Sequence, residues 1–345
     1  MTRVDSRTQA PASATHADVE RAHPGLPFTA PWLLAPMEGV TEPCFRDLVL
    51  ARNPASALGG AFTEFVRVHE APVPRRILRK HMGPLRFDAP VGVQLMGSDV
   101  AKLAASAARA VECGAPIVDL NFGCPAKGAI AGCAGSALLR EPQRVEEIVR
   151  AIAKACEPAP VSAKIRAGFD HARDVETLAR AAEAGGAALL TVHCRTRVEA
   201  YCEDVDWSRI ARAVAAVSIP VCGNGSIRSH DDLERMRRET GCAFAMVGRG
   251  ALADPWIFSG ARATRGEAAR FLLEYASTMS ERNQIPASGL APRLKQLLRY
   301  WTAGGLVADD ADRRTWLELR TGEELLARLT AAAGEGSLTQ ASRTA

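Results

Sequence analysis

The chain has 345 residues, 47% hydrophobic and 24% charged, with a formal net charge of +4. That composition excludes a disordered or fibrous chain, and the mild positive balance is compatible with a nucleic-acid partner without pointing to one. No apolar run reaches the roughly 20 residues of a membrane span, and nine cysteines with no CxxC pair exclude a disulfide framework and a zinc site and point to a reducing cytoplasm.

Residues 1–25 mix Thr, Ser, Ala, Pro and charges without the apolar stretch of a signal peptide, so a disordered tail is expected there. From Trp32 short apolar runs alternate with helical patterns. Strands are expected at 32–35, 60–63, 91–95, 117–120, 161–165, 188–193, 219–222 and 243–247. Between them, one helix starts near Pro43, and another starts at Asp99, a natural N-cap. Val145, Ile148, Val149 and Ile152 show the i, i+3, i+4, i+7 spacing of a buried helix face. Val175, Leu178, Ala179 and Ala182 mark the helix after the fifth strand, and a further helix starts near Trp207. Strict strand–helix alternation implies a parallel sheet, because parallel strands need crossover connections. Eight such units fit a closed (β/α)₈ TIM barrel over residues 26–255; an open doubly wound sheet is the alternative. Beyond Pro255 the strands stop. Phe271, Leu272 and Tyr275, then Leu294, Leu297, Leu298 and Trp301, then Trp316, Leu317, Leu325, Leu326 and Leu329 mark helices. An all-helical domain is expected over 256–333, with a second disordered tail over 334–345.

The stretch Asn121-Phe122-Gly123-Cys124-Pro125-Ala126-Lys127 directly follows the fourth strand. A cysteine held there in a tight bend faces the C-terminal mouth of the barrel, where such enzymes keep their chemistry. Other strand ends deliver Glu38, Glu64, Gln94, Lys164 with Arg166, His193 with Arg195, Asn224 and Arg249. Gly223-Asn224-Gly225 and Gly248-Arg249-Gly250 end the last two strands, the place where barrels bind phosphate. With a phosphate fixed there, Gln94 and Lys164 suit a flavin ring: an amide for its pyrimidine edge and a cation for the charge of its reduced form. His193 is expected to touch phosphate or cofactor. Cys124 has three readings: a small core residue, a nucleophile, or a general acid that stays protonated. Cys133, in the same loop, is a second candidate. No cluster suits a metal.

These residues, in this order, resemble the tRNA-dihydrouridine synthase family from about Trp32 to Pro255 and more loosely to Leu329. The carriers are Ala35-Pro36-Met37-Glu38-Gly39-Val40, Gln94-Leu95-Met96-Gly97, Asp119 to Lys127, Lys164-Ile165-Arg166-Ala167-Gly168-Phe169-Asp170, His193-Cys194-Arg195-Thr196 and the two glycine motifs. The resemblance implies an FMN enzyme that reduces the C5–C6 bond of uridines in tRNA, with NADPH recharging the flavin. Pro36, Met37 and Glu38 would lie against the flavin, and Gln94 and Lys164 would hold its ring. Asn224, Gly225, Ser226, Gly248 and Arg249 would hold its ribityl phosphate. Cys124 would give the proton to C5 and Asn121 would bond the extruded base, with Arg166 on the substrate side. Met37-Glu38-Gly39, Thr63 to Arg67 and Arg293-Leu294-Lys295-Gln296 are most similar to the bacterial C-type branch, which modifies uridine 16. Arg67, Arg293 and Lys295 then become candidate tRNA contacts. The basic run Arg75 to Lys80 reads as solvated charge. Two positions depart from the pattern: Cys194 stands where the family often has Gly, and Ala200-Tyr201-Cys202 replaces Gly-Tyr-Arg. The expected enzyme is a cytoplasmic monomer. The alternatives are an FMN-dependent dehydrogenase of a free pyrimidine, which would need neither the helical domain nor Arg67, and a non-catalytic RNA-binding protein.

Overall fold

Strands that are apolar on both faces bury their side chains only when the sheet is covered outside and filled inside, and this sheet does both by closing. The structure, a computed structural model, describes residue 19, residues 23–200 and residues 205–341. Its strands are β1 (Trp32–Leu34), β2 (Gly60–Phe62), β3 (Val66–Arg67), β4 (Val91–Met96), β5 (Val118–Asn121), β6 (Val161–Arg166), β7 (Leu189–His193), β8 (Val221–Asn224) and β9 (Phe244–Val247). All pairings are parallel. β1 joins β9, with Leu34 opposite Val247, and β2 joins β4, with Ala61 opposite Val91. The result is an eight-stranded closed barrel, with the two-residue β3 as a ninth strand beside β4. The doubly wound alternative is thereby excluded.

Several strands run further than their apolar residues. β8 continues through Gly223 to Asn224, and β6 through Arg166. Ladder partners rather than hydrophobicity set these ends: Arg166 lies opposite His193, and His193 opposite Asn224. Neighbours in register point to the same face, so the polar strand ends form one inward-facing tier.

The barrel interior is divided. Its lower part is an apolar plug of Phe28, Leu33, Phe62, Ile117, Leu189 and Phe244. Val19 is 6% exposed and belongs to that plug, and the His23 ring lies 5.1 Å from that of Phe244. The end of the expected 1–25 tail therefore has packed positions, because an open barrel floor would leave aromatic surface in water; the rest of residues 1–22 lies outside the described residues. So do Tyr201 and Cys202.

Helices α1 (Pro43–Arg52), α2 (Arg75–Met82), α3 (Val100–Glu112), α4 (Lys127–Ala131), α5 (Pro142–Cys156), α6 (Val175–Ala184), α7 (Ser208–Ala216), α8 (His230–Thr240) and α9 (Arg249–Ala253) complete the barrel segment. Asp99 caps α3 as expected, accepting from Lys102 N at 3.0 Å. In the basic run on α2, Arg75 is paired on the surface with Glu112. The C-terminal part contains α10 (Arg265–Asn283), α11 (Ala291–Leu298), α12 (Asp310–Glu318) and α13 (Gly322–Ala341). α13 continues past residue 333, where a disordered tail was expected; no proline follows Ala333 to break it.

Buried contacts fasten this part to the barrel. Phe45 of α1 packs edge-on against Phe271 and Tyr275 of α10. Arg46 is wholly buried and donates to the carbonyls of His81 at 2.8 Å and Met82 at 2.6 Å. Asp47 joins Arg46 at 3.0 Å and Arg282 of α10 at 2.9 Å. Removing one member of a buried ion cluster strands the others. Asp47→Ala is therefore expected to lower the free energy of unfolding by about 3 kcal/mol, read as an earlier denaturant midpoint; an unchanged midpoint would show that the cluster contributes nothing.

Candidate active site

A cavity of about 1370 Å³ opens at the C-terminal ends of the strands and is walled on its far side by α11 and the residues after it. Pro36, Met37 and Glu38 enter it after β1, Asn121 and Cys124 at the end of β5, Lys164 and Arg166 from β6, and His193 from β7. Asn224, Gly225 and Ser226 enter after β8, and Gly248 and Arg249 after β9. Lys295 enters from α11. The structure thus brings most of the sequence-derived site residues together.

At one end lies a glycine-lined corner. Gly225 has φ +130°, and a Cβ there would meet Cys194 Sγ at 2.5 Å, so only glycine fits. Cys194, one of the two departures from the resemblance, forms the underside of this turn. Ser226 follows with φ +54°, an unusual conformation for a serine. Its Oγ accepts from Arg195 Nη2 at 2.7 Å. Trp207 Nε1 donates to Gly225 O at 3.0 Å. Gly225, Ser226, Gly248 and Arg249 line the cavity together, a turn and a cation of the kind that suits an anion.

Deeper in the mouth, Lys164 Nζ donates to Asn224 Oδ1 at 3.1 Å. Burial, then the charge of Arg166, pulls the Lys164 ammonium down to about 8, with Asp119 acting against them. Burial also takes His193 well below the ordinary imidazole range, helped by Lys164, Arg166, Arg195 and Arg249. A neutral His193 accepts at Nδ1 from Arg195 N at 3.3 Å, which leaves its proton on Nε2.

Cys124 is 8% exposed and packs against Phe65, Met96, Ala129 and Ala134, yet it lines the cavity. Its loop is held on both sides. Asn121 Oδ1 accepts from Cys124 N at 2.9 Å, and Ser136 N donates to Cys124 O at 3.1 Å. Gly135, with φ +60°, lets the next turn press on the cysteine, since a Cβ there would come within 3.0 Å of Cys124 Cβ. Burial pushes the Cys124 thiol up, with Glu38 in the same direction and the Ala126 N–H, Arg67 and Arg166 opposing. A thiol kept neutral suits an acid better than a nucleophile.

Five expected site residues stand elsewhere. Gln94 is 0% exposed and does not line the cavity; it lies behind Asn121, bonded to it and to Asp119. Arg67 is at the rim, 3.2 Å from Glu38 and 5.1 Å over the Phe65 ring. Arg293 is turned away from the cavity and donates to Gly39 O at 2.9 Å, so its guanidinium ties α11 to the loop carrying Met37 and Glu38. Glu64 lies near that joint, its carboxyl pushed up by burial and by Glu42. Cys133 is exposed and does not line the cavity.

Sequence reading missed other parts of the site. Asp119 and Ser162 sit in runs read as apolar, and their polarity at inward positions was the available signal. Arg299, Tyr300 and Arg320 line the cavity from the helical side, but a periodicity search for buried faces passes over such positions. Among the described residues no group of three or more His, Cys, Asp or Glu gathers as for a metal.

The family described as dihydrouridine synthase matches residues 33–286. A tRNA-dihydrouridine(16) synthase of Pseudomonas putida is 42% identical over 230 residues, 64% of this chain and 70% of that one. One of Haemophilus influenzae is 35% identical over 283 residues, 78% of this chain and 89% of that one. Among solved structures, histamine dehydrogenase from Rhizobium sp. 4-9 superposes with a TM-score of 0.54 at 14% identity, covering 89% of this chain and 62% of that one, a likeness of fold alone.

The thiol assignment has a direct check. Peptide-resolved alkylation of Cys124 is expected to be slow at pH 7 and to accelerate about tenfold per pH unit through and beyond the ordinary thiol pKa of about 8.5. A plateau reached below pH 8 would identify a thiolate and remove the acid role.

Proposed function

Because the chain belongs to the dihydrouridine synthase family, we propose that it uses FMN and NADPH to reduce uridine 16 in the D-loop of tRNA to 5,6-dihydrouridine. The observation that carries this reading is a mostly buried thiol, Cys124, on the same cavity as the glycine-lined corner of Gly225, Ser226 and Arg249.

The residues present fit FMN. The corner after β8 and β9 offers turn N–H groups and Arg249 to a phosphate. Lys164 faces the same cavity from β6 and supplies a cation for the flavin ring. Pro36 and Met37 offer it an apolar face. The cavity exceeds the size range of small-molecule sites, about 300–1,000 Å³, and so has room for a nucleobase beside a cofactor. When bound, FMN supplies the hydride that C6 of the uracil takes up.

The chain does the rest. Cys124 holds its proton at neutral pH and delivers it from Sγ to C5, the carbon left electron-rich when C6 is reduced. Asn121 stands at the end of β5 to bond the base. Phe65 and Met96 keep water from the thiol. Lys295, Arg299 and Arg320, with Tyr300 38% exposed among them, form a cationic wall with one aromatic plane. That chemistry matches a phosphate backbone and an unstacked base. A free pyrimidine has no use for it. No described helix is long and apolar enough to cross a membrane, and the reading has the enzyme acting as a cytoplasmic monomer.

Mapping of dihydrouridine in tRNA from a deletion strain tests the reading: the modification at position 16 should vanish, and the wild-type gene should restore it. Cys124→Ala should keep its flavin while product formation falls by at least on the order of 100-fold. Loss at another position would relocate the target, and no loss would refute the assignment. Replacing Lys295 and Arg299 with Ala should weaken tRNA binding and lower the slope of log affinity against log salt by about one for each phosphate no longer neutralised; an unaltered slope would show that this wall does not meet the backbone.

A further inference from the structure

The amide of Asn121 is almost entirely committed. Its Oδ1 accepts from Gly123 N at 3.0 Å and from Cys124 N at 2.9 Å. One hydrogen on Nδ2 goes to Gln94 Oε1 at 2.8 Å. Both lone pairs of the oxygen and one of the two hydrogens are therefore used. What Asn121 retains for the cavity it lines is a single N–H.

The two backbone N–H groups require this direction of the amide, and a chain running two side chains deeper enforces the same one. Gln94 Nε2 donates to Asp119 Oδ2 at 2.6 Å, and Ser162 Oγ donates to Asp119 Oδ1 at 2.6 Å. An ionised carboxylate only accepts. Gln94 must therefore turn its NH₂ toward Asp119 and its oxygen toward Asn121. Asn121 must meet that oxygen with its own NH₂, and its oxygen then faces the Cys124 loop. Gln94 and Ser162 are 0% exposed and Asp119 is 1% exposed, so a reversed amide would set donor against donor with no solvent to relieve it.

Resting on the functional reading above, we propose that Asp119 is a positioning residue for uridine reduction. Its carboxylate sets the direction of the Gln94–Asn121 amide chain, which ties down the Cys124 loop and leaves Asn121 presenting an N–H to the base. A uracil carbonyl accepts that N–H, whereas the exocyclic amine of cytosine would oppose it.

The test breaks the link between Gln94 and Asp119 and then restores it. Gln94→Glu places a second carboxylate against Asp119. In the purified holoenzyme, kcat for dihydrouridine formation in tRNA should fall on the order of 100-fold. Alkylation of Cys124, measured without tRNA, should speed up about tenfold as the loop opens more often. Adding Asp119→Asn keeps the total charge of the wild type. The new amide at position 119 can donate to the carboxylate at position 94 and accept from Ser162, so the tie to Asn121 runs as before. The double variant should return to within about threefold of wild type in both measurements, because the two positions are coupled. A single variant that fails to fold beside a double variant that folds and turns over gives the same answer. A proton taken up by the pair of carboxylates at positions 94 and 119 would let the acid mimic the amide, so both measurements are made from pH 7 to about 9. The proposal is overturned if Gln94→Glu behaves like wild type across that range, or if the double variant is no better than the single one, folded or not. If Gln94 served only by touching the cofactor, Asp119→Asn could not rescue it. A wild-type enzyme that leaves tRNA uridine unchanged would instead overturn the functional reading, and the alkylation pair would still decide the role of Asp119.

Discussion

Polar side chains inside a closed barrel have only one another to satisfy them, and this barrel places its polar residues under that constraint. Gln94, Asp119 and Ser162 point inward at neighbouring register positions, and Asn121 with Lys164 lies one tier above them. Each polar atom left without a partner there would carry a desolvation cost. The hydrogen bonds that remove this cost also fix the geometry of the tier above. The Cys124 loop is held by an asparagine that is bonded both to the loop backbone and to Gln94 beneath it, and Lys164 is held by Asn224. The residues of the mouth are thus supported by the hydrogen-bonded layer of Gln94, Asp119 and Ser162 beneath them.

The second wall of the cavity belongs to the helical part, so the fit between the two parts defines the active volume. The joint mixes aromatic packing with directed bonds. Phe45 meets Phe271 and Tyr275, Asp47 meets Arg282, and Asn53 Nδ2 donates to Pro255 O at 2.8 Å. Arg293 adds a tie to Gly39, in the turn beside Met37 and Glu38. Such fastening holds Lys295, Arg299 and Arg320 on the wall of the cavity that Cys124 also lines.

The barrel could be read from alternating apolar runs because parallel strands covered on both faces must be hydrophobic along their length. The strand ends carried most of the site because closure points their polar residues into one mouth. Legibility failed where a residue's role depends on partners distant in sequence. Gln94 was assigned to the cofactor from its place at a strand end, but Asp119 and Asn121 claim its amide. The resemblance makes Arg293 a candidate RNA contact, but a carbonyl on another element holds it. Asp119 was hidden by the leucine and valine around it. Val19 fell within a stretch whose composition reads as disorder, and only the aromatic floor it packs on explains its burial.

That floor has a consequence for access. Phe28, Phe62 and Phe244, with Val19 beneath, close the lower end of the barrel to water. Burial holds the Asp119 carboxyl up and the Lys164 ammonium down from their ordinary values. With aromatic rings sealing the floor, Lys164 meets open space only on the side of the cavity it lines, so an ion or proton entering this layer has one direction of approach.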